Sequence, residues 1–198
     1  MARPRSAAAD RAILDATRSA LVELGWSRLT MADVAARAGV AKTTLYRRWP
    51  GKSEMVVDAV AVLFDELELP DRGSLQADIE GVVLSFAALV SRPEAKTSLM
   101  AVVAESTHRP ALRDRVRSAI VDRQKHLVLQ GRARAQARGE LPPDKGDAEH
   151  TRRTVDLIFD VVAGTVVHRC LVSDEPVDET WARTFALLLM GGLAAVSG

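Results

Sequence analysis

The sequence predicts an all-α protein of about nine helices, and three observations support this fold class. Apolar residues recur at intervals of three and four along almost the whole chain, which places them on one face of a helix. No segment shows the sustained alternation of apolar and polar residues that indicates strands. Glycine and proline residues interrupt the periodic segments at points where helices should end.

Composition is that of a folded protein. Of the 198 residues, 47% are hydrophobic and 27% are charged, which excludes wholesale disorder and allows one or two compact domains. No apolar stretch is long enough to span a bilayer, and the first nine residues have no secretory signal, so we expect a cytoplasmic protein without membrane contact. The single cysteine, Cys170, agrees with a reducing compartment.

A first helix is followed closely by two short ones. Gly25 ends a first helix whose apolar stripe includes Ile13, Leu14, Leu21 and Leu24. Thr30 is placed to cap a second helix, with Asp33 favourable near its N-terminus, and Gly39 ends that helix. A third helix is predicted from about Lys42 to Arg48, before the break at Pro50 and Gly51.

Longer helices follow. One should end before Pro70, a second should start at a Ser74 cap, and a third should start after Pro93 with Leu99, Met100 and Val103 facing inward. A long helix is expected from Pro110 to about Arg138, where glycine and proline residues terminate it.

The last two helices, from about Asp147 to Leu171 and from about Asp178 to Val196, are apolar around much of their circumference. Such helices have more surface to bury than one monomer core requires, so we predict self-association, with packing inside the monomer as the alternative. Gly164, Gly191 and Gly192 would permit the close approach of a neighbouring helix. The predicted interface comprises Phe159, Val162, Val166, Trp181, Phe185, Leu188, Leu189 and Gly192.

Charge is distributed unevenly along the chain. Residues 1–52 hold 10 lysines and arginines against 4 aspartates and glutamates, a net charge of +6, and the remaining residues hold 17 against 22, a net charge of −5. A basic module on an acidic body is typical of nucleic-acid-binding proteins, although a solvated basic surface would give the same count.

The spacing in residues 30–49 favours nucleic-acid binding. Val34, Ala35 and Ala38 face inward from one short helix, Val40 fills the turn, and Leu45 faces inward from the next helix. Two short helices joined by a turn of three or four residues with glycine form a helix-turn-helix, which enters the major groove of DNA. An ordinary helical hairpin is the alternative interpretation.

The outward face of the second of these helices carries side chains that suit a DNA groove. Arginine and lysine reach guanine acceptors, threonine contacts bases or phosphates, and Lys52 lies at a helix N-terminus that favours phosphate. The predicted DNA-binding residues are Thr30, Lys42, Thr43, Thr44, Tyr46, Arg47, Arg48 and Lys52.

These residues, at fixed spacing, resemble the tetracycline-repressor (TetR) family over roughly the first third of the chain. The resemblance is carried by Gly25-Trp26, Thr30, Asp33-Val34-Ala35, Ala38-Gly39-Val40, Thr44-Leu45-Tyr46, Trp49 and Lys52. Ala41 departs from the pattern because serine is common at this helix cap, and Trp49 stands where phenylalanine is commoner.

The resemblance implies a homodimer with a DNA-binding domain at residues 7–67, helix-turn-helix 30–49, and an effector-binding and dimerisation domain at residues 68–198. It implies that Tyr46 and Lys52 contact phosphates and that Thr43 and Arg47 lie near base edges. It also implies a dimer bundle built from the last two helices and an unidentified small-molecule inducer.

Other polar residues give weaker signals. The four histidines and Cys170 lack the spacing of metal ligands, so we expect no metal, no cofactor and no enzyme activity. Residues that could line an inducer pocket, or form plain core, are Phe86, Met100, His126, Phe159, Asp160 and His168.

The sequence therefore predicts a transcriptional repressor that a small-molecule inducer releases from a palindromic double-stranded DNA operator. Two alternatives are a non-specific architectural DNA-binding protein, whose affinity would be nearly independent of sequence, and an enzyme acting on a small molecule.

Overall fold

The computed structural model describes residues 7–143 and 148–196, and all regular structure within these ranges is helical. The helices in chain order are α1 (Ala7–Arg28), α2 (Met31–Arg37), α3 (Lys42–Tyr46), α4 (Lys52–Phe64), α5 (Leu75–Val90), α6 (Pro93–Ser106), α7 (Pro110–Val116), α8 (Asp122–Ala137), α9 (Ala148–Val167) and α10 (Glu179–Val196).

Two π-helical turns extend these helices. Arg117–Val121 joins α7 to α8, and His168–Val172 continues α9. Helix α7, the π-helical turn and α8 follow one another without a break, so the long helix predicted from Pro110 is confirmed. When these three are counted as one helix, the described residues contain nine helices. Among the described residues, no helix could span a lipid bilayer.

The chain divides into two compact units. The head unit comprises the described residues up to Phe64 together with Arg92–Asp122, and the body unit comprises Asp65–Ser91 together with the described residues from Arg123 onward. The head unit thus contains α1 to α4, α6, α7 and the first π-helical turn, whereas the body unit is built from α5, most of α8, α9 and α10.

In the head unit, α1 packs against α2, α4 and α6. Gly25 breaks α1 as predicted, since its φ of 71° and ψ of 168° leave the helical region and admit a left-handed conformation that favours glycine. Many core residues of this unit are fully buried, among them Ile13, Leu21, Leu45, Met55, Val56 and Val60.

Helix α4 ends at Phe64, before Pro70 as predicted. One expectation about α6 is corrected. On α6, Leu99 is buried as expected, but Met100 and Val103 are 45% and 47% exposed. The buried stripe of α6 instead runs through Ala95, Ser98, Leu99 and Val102, and this stripe faces away from Met100 and Val103.

In the body unit, α5 packs against α9 and α10. Ser74 caps α5 by accepting a hydrogen bond from the Ala77 amide at 3.2 Å, as predicted. Gly81 allows the chain before α5 to cross closely, because a Cβ at this position would lie 2.6 Å from Pro70 Cγ. Buried Asp78 accepts a hydrogen bond from Arg138 Nη2 at 2.8 Å, which ties α5 to the residue after α8.

Candidate nucleic-acid interface

Helix α2 begins with a reciprocal cap. The Thr30 hydroxyl accepts a hydrogen bond from the Asp33 amide at 3.2 Å and donates one to Asp33 Oδ2 at 2.6 Å, while the Thr30 amide donates to the same oxygen at 3.0 Å. The hydroxyl hydrogen bond lowers the pKa of Asp33 below its ordinary value. The cap predicted from the sequence is confirmed, and it engages the Thr30 hydroxyl within the protein.

The turn between α2 and α3 is compact. Gly39 adopts a φ of 64°, and the Val40 amide donates a hydrogen bond to the Ala35 carbonyl at 3.0 Å. Helix α3 starts without a side-chain cap, because Ala41 has no side-chain oxygen that could accept a hydrogen bond. The position of this short helix therefore depends mainly on the burial of its Leu45 side chain.

Buried side chains hold α2 and α3 together. Val34 and Leu45 are fully buried and Ala35 is 3% exposed, as the helix-turn-helix spacing predicts. The small side chain at Ala35 lets the two helices approach. Trp49, just after α3, is also buried, and its amide donates a hydrogen bond to the Leu45 carbonyl at 2.9 Å.

The opposite face of α3 is open to solvent. Lys42, Thr43, Tyr46 and Arg47 are all exposed, with Tyr46 at 56%. Within the described residues, none of these four side chains forms a hydrogen bond or an ion pair, and only the charge of Lys42 acts on a neighbour, Asp33, so their polar groups are available to a ligand. Thr44 is half-buried beside them.

Arg48 is not part of this open face, which corrects its assignment as a DNA-binding residue. Its side chain is 10% exposed and forms an ion pair with Asp10 on α1. Arg48 lies three residues after buried Leu45, so helical spacing would have placed both on the inward face. The pair anchors the end of the helix-turn-helix to α1.

Arg37 is also engaged within the head unit. Its guanidinium contacts both carboxylate oxygens of Glu23, with Nη1 donating to Oε1 at 2.9 Å. The hydrogen bonds from Arg37 lower the pKa of Glu23. This bidentate pair ties the last turn of α2 to α1, so Arg37 is not free to bind a ligand in the way that Lys42 and Arg47 of α3 are.

Lys52 occupies a defined position at the start of α4. Its Nζ donates a hydrogen bond to the Trp26 carbonyl at 2.7 Å and lies 4.5 Å from the centre of the Trp26 ring. Sequence reasoning identified Lys52 but missed this partner, because residues 26 and 52 are brought together only by the packing of α1 against α4.

The residues predicted to line an inducer pocket are dispersed. Phe86 is buried on α5 and Phe159 is half-buried on α9, whereas Asp160, His126 and His168 are exposed in the body unit and Met100 is exposed in the head unit. His126 Nδ1 contacts the Arg123 carbonyl, and His168 Nδ1 lies 3.4 Å from Ser173 Oγ. Over the described part of the chain, no three metal-ligating side chains form a cluster.

An apolar groove of about 350 Å³ runs between α9 and α10. None of the six predicted pocket residues lines it; its lining residues are Thr154, Leu157, Ile158, Val161, Phe185, Leu188, Leu189, Gly192 and Leu193. Leu188 is 75% exposed and Leu157 is 54% exposed.

Four residues of the predicted dimer interface line this groove, namely Phe185, Leu188, Leu189 and Gly192.

The assignment of Val166 to the dimer interface is corrected, because this residue is fully buried within the body unit and offers no surface to a partner. Phe185 is 6% exposed and stacks on half-buried Trp181, with ring centres 5.2 Å apart. Apart from the backbone of their own helix, no atom of the described residues lies within 4 Å of where a Cβ at Gly164, Gly191 or Gly192 would be, so the described part of this chain does not make the predicted close approach.

Family models match most of the chain. Residues 13–59 match the family described as bacterial regulatory proteins, tetR family, and residues 69–188 match the tetracyclin repressor-like C-terminal domain. The first match contains the helix-turn-helix, and the second covers more than half of the chain.

Relatives agree with the family models. An uncharacterized HTH-type transcriptional regulator of Mycobacterium tuberculosis is 30% identical over 167 residues, which are 83% of this chain and 77% of that protein. The protein named DNA-binding transcriptional repressor TetR of Mycobacteroides abscessus is 29% identical over 177 residues, 86% of this chain and 85% of that protein.

A solved structure gives the same answer for the fold. The crystal structure of the TetR family transcription regulator SCO0332 superposes with a TM-score of 0.73 at 27% identity, and covers 93% of this chain and 97% of that one. The chain therefore belongs to the TetR family and is a DNA-binding transcriptional regulator, not an enzyme.

Proposed function

We propose that a homodimer of this chain represses transcription by binding a near-palindromic operator through α3 of each subunit. The observation that carries this proposal is the open face of α3. Lys42, Thr43, Tyr46 and Arg47 are exposed and unpaired within the described residues, on a helix whose other side is anchored by buried Leu45.

The residue types on this face have distinct roles in the proposal. Arg47 and Thr43 read base edges in the major groove, whereas Tyr46, Lys42 and Lys52 bind phosphates. Thr30 and Thr44 lie at the edge of the contact. The Thr30 hydroxyl already donates to Asp33 and accepts from its amide, which leaves one lone pair for DNA. Arg48 supports α3 from within.

Dimerisation is supported by the apolar face of α9 and α10. Three large apolar side chains that line the groove are exposed, and soluble monomers rarely tolerate such a patch: Leu157, Val161 and Leu188. Phe159, Val162, Trp181 and Leu189 are half-buried on the same two helices. A second copy covering this face would form the family's bundle, and open space around Gly192 would admit its helix.

Two subunits would place two α3 helices in successive major grooves, about 34 Å apart on one side of the duplex. We assign DNA contact to residues 7–67 and dimerisation and inducer binding to residues 68–198. Repression is supported by the name of the Mycobacteroides abscessus relative, which calls that protein a repressor. An inducer would act by binding more tightly to a state with a different spacing of the two α3 helices.

Selection of bound duplexes from a random library, at two salt concentrations, tests the proposal. We expect one palindrome with a fixed half-site spacing to be enriched at both concentrations. Binding without enrichment, lost when salt is added, would contradict the proposal and favour an architectural DNA-binding protein, because phosphate contacts alone give sequence-independent and salt-dependent affinity.

A further inference from the structure

Trp49 connects the recognition helix α3 to α4 through its side chain. Its backbone continues from α3, with the amide donating to the Leu45 carbonyl at 2.9 Å, and its ring is 5% exposed. The indole Nε1 donates a hydrogen bond to Asp58 Oδ2 at 2.8 Å, and Asp58 lies on α4. The orientation of α3 is therefore linked to the position of one carboxylate.

Arg115, on α7, holds the same carboxylate. Its Nη2 donates to Asp58 Oδ1 at 2.8 Å and to Oδ2 at 2.9 Å, so Asp58 receives hydrogen bonds from two different segments at once. Arg115 Nε is buried without another partner, which leaves Asp58 as the group that engages this guanidinium. Charge-assisted bonds of this kind are stronger and more directional than neutral ones.

A second arginine fastens the same region of the chain to α4. Arg109, directly before α7, donates from Nη1 to Ser53 Oγ at 2.6 Å and from Nη2 to Glu54 Oε1 at 3.0 Å. Ser53 and Glu54 are in the first turn of α4, and Asp58 is about one turn further along. The start of α7 thus holds the segment of α4 that follows α3.

We propose that Asp58, held by Arg115, is a positioning residue for DNA recognition: it fixes Trp49 and thereby the orientation in which α3 presents Thr43 and Arg47. The proposal rests on the sequence-specific binding proposed above. It gives Arg115, which lies within the C-terminal family match, control over the affinity of α3 for its preferred sequence.

A positioning role differs measurably from a purely structural one. Loss of the Asp58 hydrogen bonds should misplace the side chains that contact bases, because base contacts depend on geometry. The attraction to phosphates should stay unchanged, because it depends on charge. A change that only destabilised the fold would weaken binding to every duplex through the folded fraction.

The first test compares Arg115→Gln with Arg113→Gln. Arg113 is an exposed arginine on the same helix that donates to the Thr107 carbonyl and forms no hydrogen bond or ion pair with the described residues of α4, and both variants lose the same charge. We expect R115Q to bind the selected duplex about tenfold more weakly, the size of coupling between contacting groups, and to bind a scrambled duplex as R113Q does. The Trp49 indole N–H resonance, identified by its absence in Trp49→Phe, should shift in R115Q and not in R113Q.

Trp49→Phe provides a variant that keeps an aromatic ring and removes only the N–H donor. We expect it to weaken binding to the selected duplex as well. Because both changes act through Asp58, the double variant W49F/R115Q should lose less affinity than the product of the two single losses. Where R115Q unfolds, W49F alone still tests the proposal, because it keeps Arg115 and removes only the hydrogen bond to Asp58; unchanged binding of W49F to the selected duplex would then overturn the positioning role.

The outcomes separate the two proposals. Specific binding by the wild-type chain, with R115Q equal to R113Q or with fully multiplicative losses in the cycle, would overturn the positioning role alone. A wild-type chain that enriches no duplex would overturn the proposed function and the positioning role with it. Parallel losses on selected and scrambled duplexes would also overturn the positioning role.

Discussion

Lys52 and Trp26 are 26 residues apart in sequence, yet Lys52 Nζ donates a 2.7 Å hydrogen bond to the Trp26 carbonyl and lies 4.5 Å from the centre of the indole ring. An ammonium has three N–H donors, so this contact leaves two for a phosphate oxygen. Ordering the lysine before DNA arrives reduces the side-chain entropy lost on binding.

Replacing Lys52 with alanine should weaken binding to all duplexes alike and reduce the slope of log affinity against log salt by about one, because the proposed phosphate contact disappears. Loss of the contacts with Trp26 should also lower the free energy of unfolding by about 1 kcal/mol. Urea denaturation and binding at several salt concentrations measure the two effects. A changed sequence preference would contradict the assigned phosphate contact.

Arg47→Ala should relax specificity at one base position of each half-site, since Arg47 is exposed on α3 and is proposed to read a base edge. A good bidentate arginine contact to guanine discriminates by about 1–3 kcal/mol. Repeating the library selection with R47A measures this change. Arg113→Ala, with the same loss of charge on α7, is the control and should leave the selected sequence unchanged.

Ala41→Ser should stabilise the head unit. Ala41 occupies the cap position of α3 and makes no side-chain hydrogen bond there, whereas serine could accept one from a free amide of the first turn. Capping of this kind contributes about 0.5–2 kcal/mol. Urea denaturation measures the gain, and Ala36→Ser, at an exposed position within α2, should give none.

The cap of α2 predicts a pH dependence. Because the Thr30 hydroxyl lowers the pKa of Asp33, the ionised carboxylate stabilises the folded state above the ordinary carboxyl range. That contribution is lost as pH falls through the lowered folded-state pKa. The difference in unfolding free energy between wild type and Asp33→Asn should therefore shrink in acid. A difference that is constant with pH would show that ionised Asp33 does not stabilise the cap.

Leu188→Glu should convert the proposed dimer to monomers. Leu188 is 75% exposed beside the apolar groove, and a carboxylate buried against a second copy would be strongly unfavourable. Light scattering after gel filtration measures the mass. Leu129→Glu, which changes a residue 50% exposed on α8, is the matched control and should leave the mass unchanged. A dimeric L188E would place the interface elsewhere.

Local sequence patterns were sufficient where a local interaction fixes the structure. The breaks at Gly25 and Gly39 follow from backbone conformations that glycine favours, and the Thr30 cap follows from a hydrogen bond across three residues. The inward positions of Val34, Ala35 and Leu45 follow from helical period alone. These features identify the motif before any long-range contact is known.

The roles of individual cations depend on long-range contacts. Arg47 and Arg48 are adjacent in sequence, but Arg47 is exposed whereas Arg48 pairs with Asp10 on α1. Likewise, α6 buries Leu99 and exposes Met100 and Val103 because its partners in the head unit cover only one stripe. Periodicity defines a stripe, but the neighbouring helices select which stripe is buried.

The helical class, the helix-turn-helix and the four exposed side chains of α3 could be predicted from the sequence, because each follows from interactions within a few residues. The packing of Arg92–Asp122 with the head unit, and the contact of both Arg115 and Trp49 with Asp58, could not. A side-chain hydrogen bond spanning 57 residues of chain has no local signature, because it exists only once α4 and α7 are packed together.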